Sequence, residues 1–222
     1  MIIHPTSLSA TLDATADVFF HQNQLSNTIR QEITNMIVSR QRQTGPNAGF
    51  FIPYAAESEA KIRLFSGELL TTTLARNHIP MIEAARLLKL LAIETHAVYQ
   101  SILLTNHRME KMCYSTFCAK GECKALTIAY LRYLSLDDAD NAVSSMSTHL
   151  TSLTDYRDGK GRWGGFPFFY TVLMLSETDS PLAIQELKYA APFCEKQLSQ
   201  NWSPDPISKR RLEIISNALA RS

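Results

Sequence analysis

Cys113, Cys118 and Cys123 recur at intervals of five, with His107 upstream and Cys194 far along the chain. Clustered thiolates are soft ligands, and the chemistry they could carry is a zinc or iron–sulfur centre. The interval argues against it. Zinc sites usually pair cysteines two to four residues apart, and five steps along a helix turn a side chain by about 140°. Three cysteines on one helix then share no face, and cysteine as a small buried apolar residue is the commoner use. The expectation is no metal and no cofactor, with Cys113, Cys118 and Cys123 as the candidate ligands if there is one.

Asp137, Asp138 and Asp140 form a second group. Three carboxylates could hold Mg²⁺ and a diphosphate, or supply an acid. They stand where a helix is predicted to begin, and negative charge there favours a helix N-terminus with one residue as its cap. That reading is adopted. His4, His21, His78, His96, His107 and His149 show no HExxH or paired spacing. No serine sits in a GxSxG elbow, and no glycine-rich phosphate loop occurs. With no complete catalytic motif, the sequence leaves open whether the chain is an enzyme.

The third group is aromatic. Trp163, Phe166, Phe168, Phe169 and Tyr170 follow a charged, glycine-punctuated loop, Arg157 to Arg162. They could line an apolar pocket with Arg162 and Asp158 at its mouth, or they could be core. The candidate ligand-binding residues are Trp163, Phe166, Phe169, Tyr170, Arg162 and Asp158. Gly49-Phe50-Phe51-Ile52-Pro53-Tyr54 repeats the grammar of Gly165-Phe166-Pro167-Phe168-Phe169-Tyr170, so Phe50, Phe51 and Tyr54 could line a pocket in the same way.

Helices must position all of these. Apolar spacing predicts a short opening helix over 13–21 and a clearer one over 24–42. Inner–outer pairs follow: 57–76 with 81–94, 121–134 with 138–153, and 167–177 with 181–200. Pro80 restarts the chain in the first pair, as Ser180-Pro181 does in the last. A basic-started amphipathic helix follows Lys209-Arg210-Arg211, and it reads as docking onto the body or a second subunit. Helix count between 95 and 120 stays open. No strand pattern emerges, so the fold class is all-α, built of antiparallel helical hairpins in a repeat array. The layout is one all-helical domain over 1–222: N-terminal helices in 1–45, hairpin repeats over 49–200 and a terminal helix in 205–222.

A chain of 222 residues with 45% hydrophobic content is enough for one substantial domain. A net charge of +1 gives no field favouring nucleic acid or an anionic membrane. No apolar run is long enough to span a bilayer, the N-terminus lacks a secretory pattern, and four cysteines do not suggest a disulfide framework. Neither nucleic acid nor membrane is an expected partner, and the expected compartment is cytoplasmic.

The stretch DGKGRWGGFPFFYTVLMLSE, followed by a proline-started outer helix, resembles repeat units of the α/α toroid proteins, the terpenoid cyclases and protein prenyltransferases. The resemblance covers about half of the chain. It implies inner and outer rings of helices around an apolar cavity. This chain departs from the pattern in being too short for six hairpins, so an arc or two chains completing a ring would be implied. The cyclases' Asp-x-Asp-Asp acid is absent, and the prenyltransferases' zinc set has no counterpart. The expected function is a helical-repeat scaffold that binds itself, as a homodimer, or another protein. The alternative is a toroid-like enzyme or binding protein for an apolar, isoprenoid-like molecule in an aromatic-lined cavity.

Overall fold

The computed structural model describes residues 2–57 and 61–222. Among these the chain forms α1 (Leu8–Phe20), α2 (Asn27–Ser39), α3 (Thr73–Leu91), α4 (His96–Met109), α5 (Cys123–Leu134), α6 (Asp140–Thr154), α7 (Phe168–Glu177), α8 (Pro181–Leu198) and α9 (Pro206–Arg221). Extended pairing among the described residues is limited to three isolated bridges. All-α is the fold class. Two compact units are distinguishable: Met1–Ile62 with Leu70–Ser115, and Arg63–Leu69 with Thr116–Ser222.

Among the described residues of the first unit each α-helix begins on a hydroxyl. Ser7, Ser26, Thr72 and Thr95 accept from the amides of Ala10, Ile29, Ala75 and Val98, satisfying donors that the first helical turn leaves open. α3 is the centre, packing on α1, α2 and α4. Its Met81, Ile82, Ala84, Ala85, Leu87 and Leu91 are sealed from solvent.

Here the sequence reading of 57–94 is corrected. Residues 58–60 lie outside the described residues, and among the rest of 57–76 the stretch 61–72 is not helical. A 3-10 turn covers Ala55–Glu57, and Leu64 to Glu68 make a tight loop in which the Leu64 amide donates to the Glu68 carbonyl at 2.8 Å. Gly67 sits at φ +93 with Ile207 where a Cβ would go, which no helical residue could accommodate. The helix begins on the Thr72 cap and runs unbroken through Pro80. The proline removes one backbone donor but does not restart the chain.

The second unit has the paired grammar in clearer form. α5 and α7 are buried along nearly their whole length, whereas α6 and α8 bury one stripe each: Ala142, Met146, Leu150 and Leu153, and Ala183, Leu187, Ala190 and Cys194. α5 packs on α6 and α7, and α8 packs on α6 and α7. Arg132 of α5, 1% exposed, is held by both carboxylate oxygens of Glu177 on α7 at 2.6 and 2.8 Å. Asp205 caps α9 through the Ile207 and Ser208 amides, and the helix docks on α7 and α8. The aspartate reading needs one adjustment. The cap of α6 is Ala139, whose own amide donates to Asp137 Oδ1 at 3.1 Å, while Asp140 lies in the first turn.

Candidate functional site

The charged loop before α7 is tied at its base by an antiparallel bridge between Arg157 and Trp163. The Gly164 amide donates to the Tyr156 carbonyl at 2.7 Å. Across the turn, Asp158 Oδ1 accepts from the Lys160 and Arg162 amides, and Arg162 Nε donates to Oδ2 at 3.1 Å. Desolvation acts to raise the Asp158 pKa, but these amides and the guanidinium outweigh it and hold the carboxyl below its ordinary range. Asp158 and Arg162 therefore close the turn upon each other.

The aromatic residues face inward. Trp163 is 2% exposed, and its indole N–H donates to Glu186 Oε2 at 2.7 Å. Arg157 grips the same carboxylate at 2.6 and 3.2 Å. Phe166 packs against Phe117 and Tyr156, Tyr170 is fully buried, and Phe169 lies between Trp202 and Arg211. The six sequence candidates thus divide between packed interior (Trp163, Phe166, Tyr170), a half-covered contact (Phe169) and a tied loop (Asp158, Arg162). Sequence reasoning missed Glu186, which lies within the outer helix it predicted over 181–200. A buried indole needs an acceptor, and that requirement was the available signal.

A cavity of about 210 Å³ lies in the first unit. Leu8, Phe50, Phe51, Pro53 and Pro80 form its apolar wall, and Glu57, Thr73, Arg76 and Asn77 its polar side. Glu57 is 4% exposed and holds the wall together. Its Oε2 accepts from the Leu8 and Tyr54 amides at 2.9 and 2.8 Å, and Oε1 from the Ser9 amide at 2.7 Å and the Ser7 hydroxyl at 2.9 Å. Burial acts to raise the Glu57 pKa, but the hydrogen bonds from Ser9, Tyr54 and Leu8 together lower it.

Behind the wall, Phe50 is fixed from two sides. Arg108 lies over its ring at 4.1 Å and donates to the Ala48 carbonyl at 2.7 Å. The His78 ring meets Phe50 edge-on and shares a 3.1 Å hydrogen bond with the Tyr114 hydroxyl. Burial, and then the Arg108 charge, push the His78 pKa down to about 4, so the ring is neutral at pH 7.

The cysteines depart furthest from expectation. Cys113 opens the 3-10 helix Cys113–Thr116, Cys118 lies in the loop beyond it, and Cys123 is the first residue of α5. Phe117, between them, adopts φ +66, a left-handed conformation that breaks any helical run. The three cysteines therefore do not lie on one continuous helix, and the rotation of about 140° per interval does not separate them. Cys113 is exposed and Cys118 and Cys123 are half-buried, so none is the buried apolar cysteine expected. Cys194 is: it is 1% exposed, with burial pushing its thiol up to about 11.

No family model, curated protein or solved structure matches the chain significantly. Among the described residues, no helix is long and apolar enough to cross a membrane. The chemistry therefore rests on the cavity with its fixed aromatic wall in the first unit.

Proposed function

We propose that the protein is a helical binding module that receives a small, mainly apolar molecule in the cavity of its first unit. The observation that carries this reading is the wall itself. Leu8 and the adjacent Phe50 and Phe51 come from two separate segments and are fixed in place by Glu57, Arg108 and His78. Pre-formed apolar concavity with a few polar groups on one side is the usual form of a ligand site. The aromatic-lined pocket implied by the second glycine–aromatic turn thus has its counterpart at the first. A volume of about 210 Å³ suits a compact body of short isoprenoid or single-ring size, with one hydrogen-bonding end towards Thr73 and Asn77. Binding is favoured over catalysis because both Glu57 oxygens are engaged by donors and His78 Nδ1 is engaged by Tyr114.

Native mass spectrometry on freshly purified protein tests the reading. A retained small molecule, lost in Thr73→Trp with the melting temperature unchanged, is the expected result. Protein at bare mass that neither gains mass nor shifts in melting temperature with a panel of small apolar alcohols and acids would overturn it.

A second reading, the self-associating scaffold, draws on the second unit. α5 beside α7 and α6 beside α8 is the neighbour pattern of stacked inner–outer hairpins, as in an α/α-toroid-like arc. In the first unit, Tyr99 and Leu103 of α4 stand one turn apart and exposed, at 63% and 46%. Light scattering after size exclusion decides it, since a strictly monomeric protein at high concentration removes this reading.

A further inference from the structure

We infer that the molecule taken by the cavity of the first unit carries a carboxylate, and that Arg76 selects it; the inference rests on that cavity being the binding site. The balance of donors and acceptors carries it. Among the described lining residues Glu57 is the one carboxylate and Arg76 the one permanent cation. Glu57 is already taken up by the fold. Its two oxygens accept from the amides of Leu8, Ser9 and Tyr54 and from the hydroxyls of Ser7 and Ser9, five donors in all. An ionised carboxylate has about four lone-pair sites, so it keeps no acceptor for a ligand. The same donors spread its charge, which leaves a cation little to bind and an anion little to be repelled by.

The remaining polar groups donate. Thr73, Arg76, Asn77 and Pro80 fall at i, i+3, i+4 and i+7, the spacing that puts side chains on one face of α3, and all four line the cavity. The polar three occupy the first turns of that face, and Pro80 continues it as apolar wall. Arg76 can only donate. Its guanidinium carries five N–H groups in a planar fork, so it can hold a neighbour in the fold and still turn a pair to a ligand. Thr73 and Asn77 can each add a donor. A carboxylate meets such a fork with two parallel, charge-assisted hydrogen bonds, whereas an alcohol or an amide is uncharged and brings a donor of its own. Thr73 and Asn77 are exposed and Arg76 is half-buried, so the head keeps part of its hydration while Leu8, Phe50, Phe51 and Ile62 take the apolar body. The ligand class is a compact monocarboxylic acid, aliphatic or aromatic.

The test titrates the full chain by calorimetry at pH 7 with hexanoate, hexan-1-ol and hexanamide, and with benzoate, benzyl alcohol and benzamide. Each acid should bind about tenfold more tightly, or better, than the alcohol and the amide of the same skeleton. That comparison needs no variant. Arg76→Gln should bring the acids down to the level of the alcohols, and Arg76→Lys should restore part of the preference, as a point charge without the fork. Alcohols or amides that bind the wild-type chain as tightly as the acids would overturn the carboxylate assignment and leave the cavity standing as a binding site. An acid preference that survives intact in Arg76→Gln would overturn Arg76 as its source. If none of the six molecules binds, the cavity reading falls and this inference falls with it.

Discussion

Two turns with nearly the same residues end differently. Gly49 to Tyr54 becomes one wall of a cavity, and Gly165 to Tyr170 becomes the packed entry to a helix. Each follows a loop tied by an isolated bridge, Gln41 with Phe51 and Arg157 with Trp163, and a buried glutamate acts beside each. The difference lies in what the glutamate holds. Glu57 accepts from backbone amides at the start of α1 and at Tyr54, so it fixes the chain without drawing an aromatic ring inward. Glu186 accepts from the Trp163 indole and the Arg157 guanidinium, so it draws the largest side chain of the preceding loop into the core. Similar turn chemistry gives space in one unit and packing in the other, because the acceptor is placed differently.

The sharpest way to break this comparison is to remove Glu186. Glu186→Ala leaves the buried Trp163 N–H without an acceptor and Arg157 without its counter-charge, and should lower the unfolding free energy by about 3 kcal/mol. Trp163→Phe should cost less, about 1–2 kcal/mol, because the ring stays and only the N–H bond is lost. Urea unfolding of both variants and the double variant measures the coupling. Additive losses would mean that the carboxylate is not what seats the indole.

Acid should act on the first unit through His78. Its pKa near 4 lies below the ordinary 6.5 because the folded ring resists protonation. The stability it contributes is complete above pH 6.5 and is lost as pH falls towards about 4, since the unfolded chain takes up the proton first. After allowance for solvent screening, the loss is about 2 kcal/mol. His78→Phe keeps a ring against Phe50 and should flatten that part of the pH profile. Hydrogen exchange read helix by helix at pH 7 and 4.5 checks it. An unchanged acid dependence would show that the ring is readily protonated in the fold.

Glu57 gives the smaller acid effect at lower pH. Its folded pKa is depressed below 4.5, so its contribution is present above pH 4.5 and disappears as pH falls through the folded value. Glu57→Gln should lose about 1–2 kcal/mol at pH 7 and converge on the wild type in acid. It should also loosen Leu8 and Phe51, lowering retention of any small molecule. Convergence with the cavity unaltered would separate its capping of α1 from its role in the wall.

How far the sequence carried these distinctions can be read from single positions. Ser180-Pro181 and Pro167 marked α7 and α8 almost to the residue, because capping and proline placement are local properties. Pro80 misled, since packing of α3 on three neighbours outweighs one missing amide donor. Gly67 lies inside an apolar run that reads as helix, and only Ile207, far along the chain, explains why it cannot be one. The cysteines misled for the opposite reason. Their spacing was judged on a helix, and a single left-handed residue, Phe117, replaces that helix with a loop. Both burial of Glu186 and the cavity beside Phe50 depend on contacts across tens of residues, which no local pattern encodes.

The smallest effects compare two glycines of one turn. Gly159 and Gly161 both sit at positive φ, +73 and +82, so alanine at either is strained by about 1 kcal/mol. Around Gly159 nothing lies within 4 Å of an added Cβ, whereas at Gly161 the Cβ would come 2.8 Å from the Phe193 Cβ on α8. Gly161→Ala should therefore destabilise by about 1 kcal/mol more than Gly159→Ala, as the loop must lift from the helix that carries Glu186. The Trp163 fluorescence should shift with it, because lifting the loop lengthens the indole–carboxylate bond. If the two variants melt together with the same emission, the loop is not pressed on α8. The turn would then owe its packing to Glu186 alone.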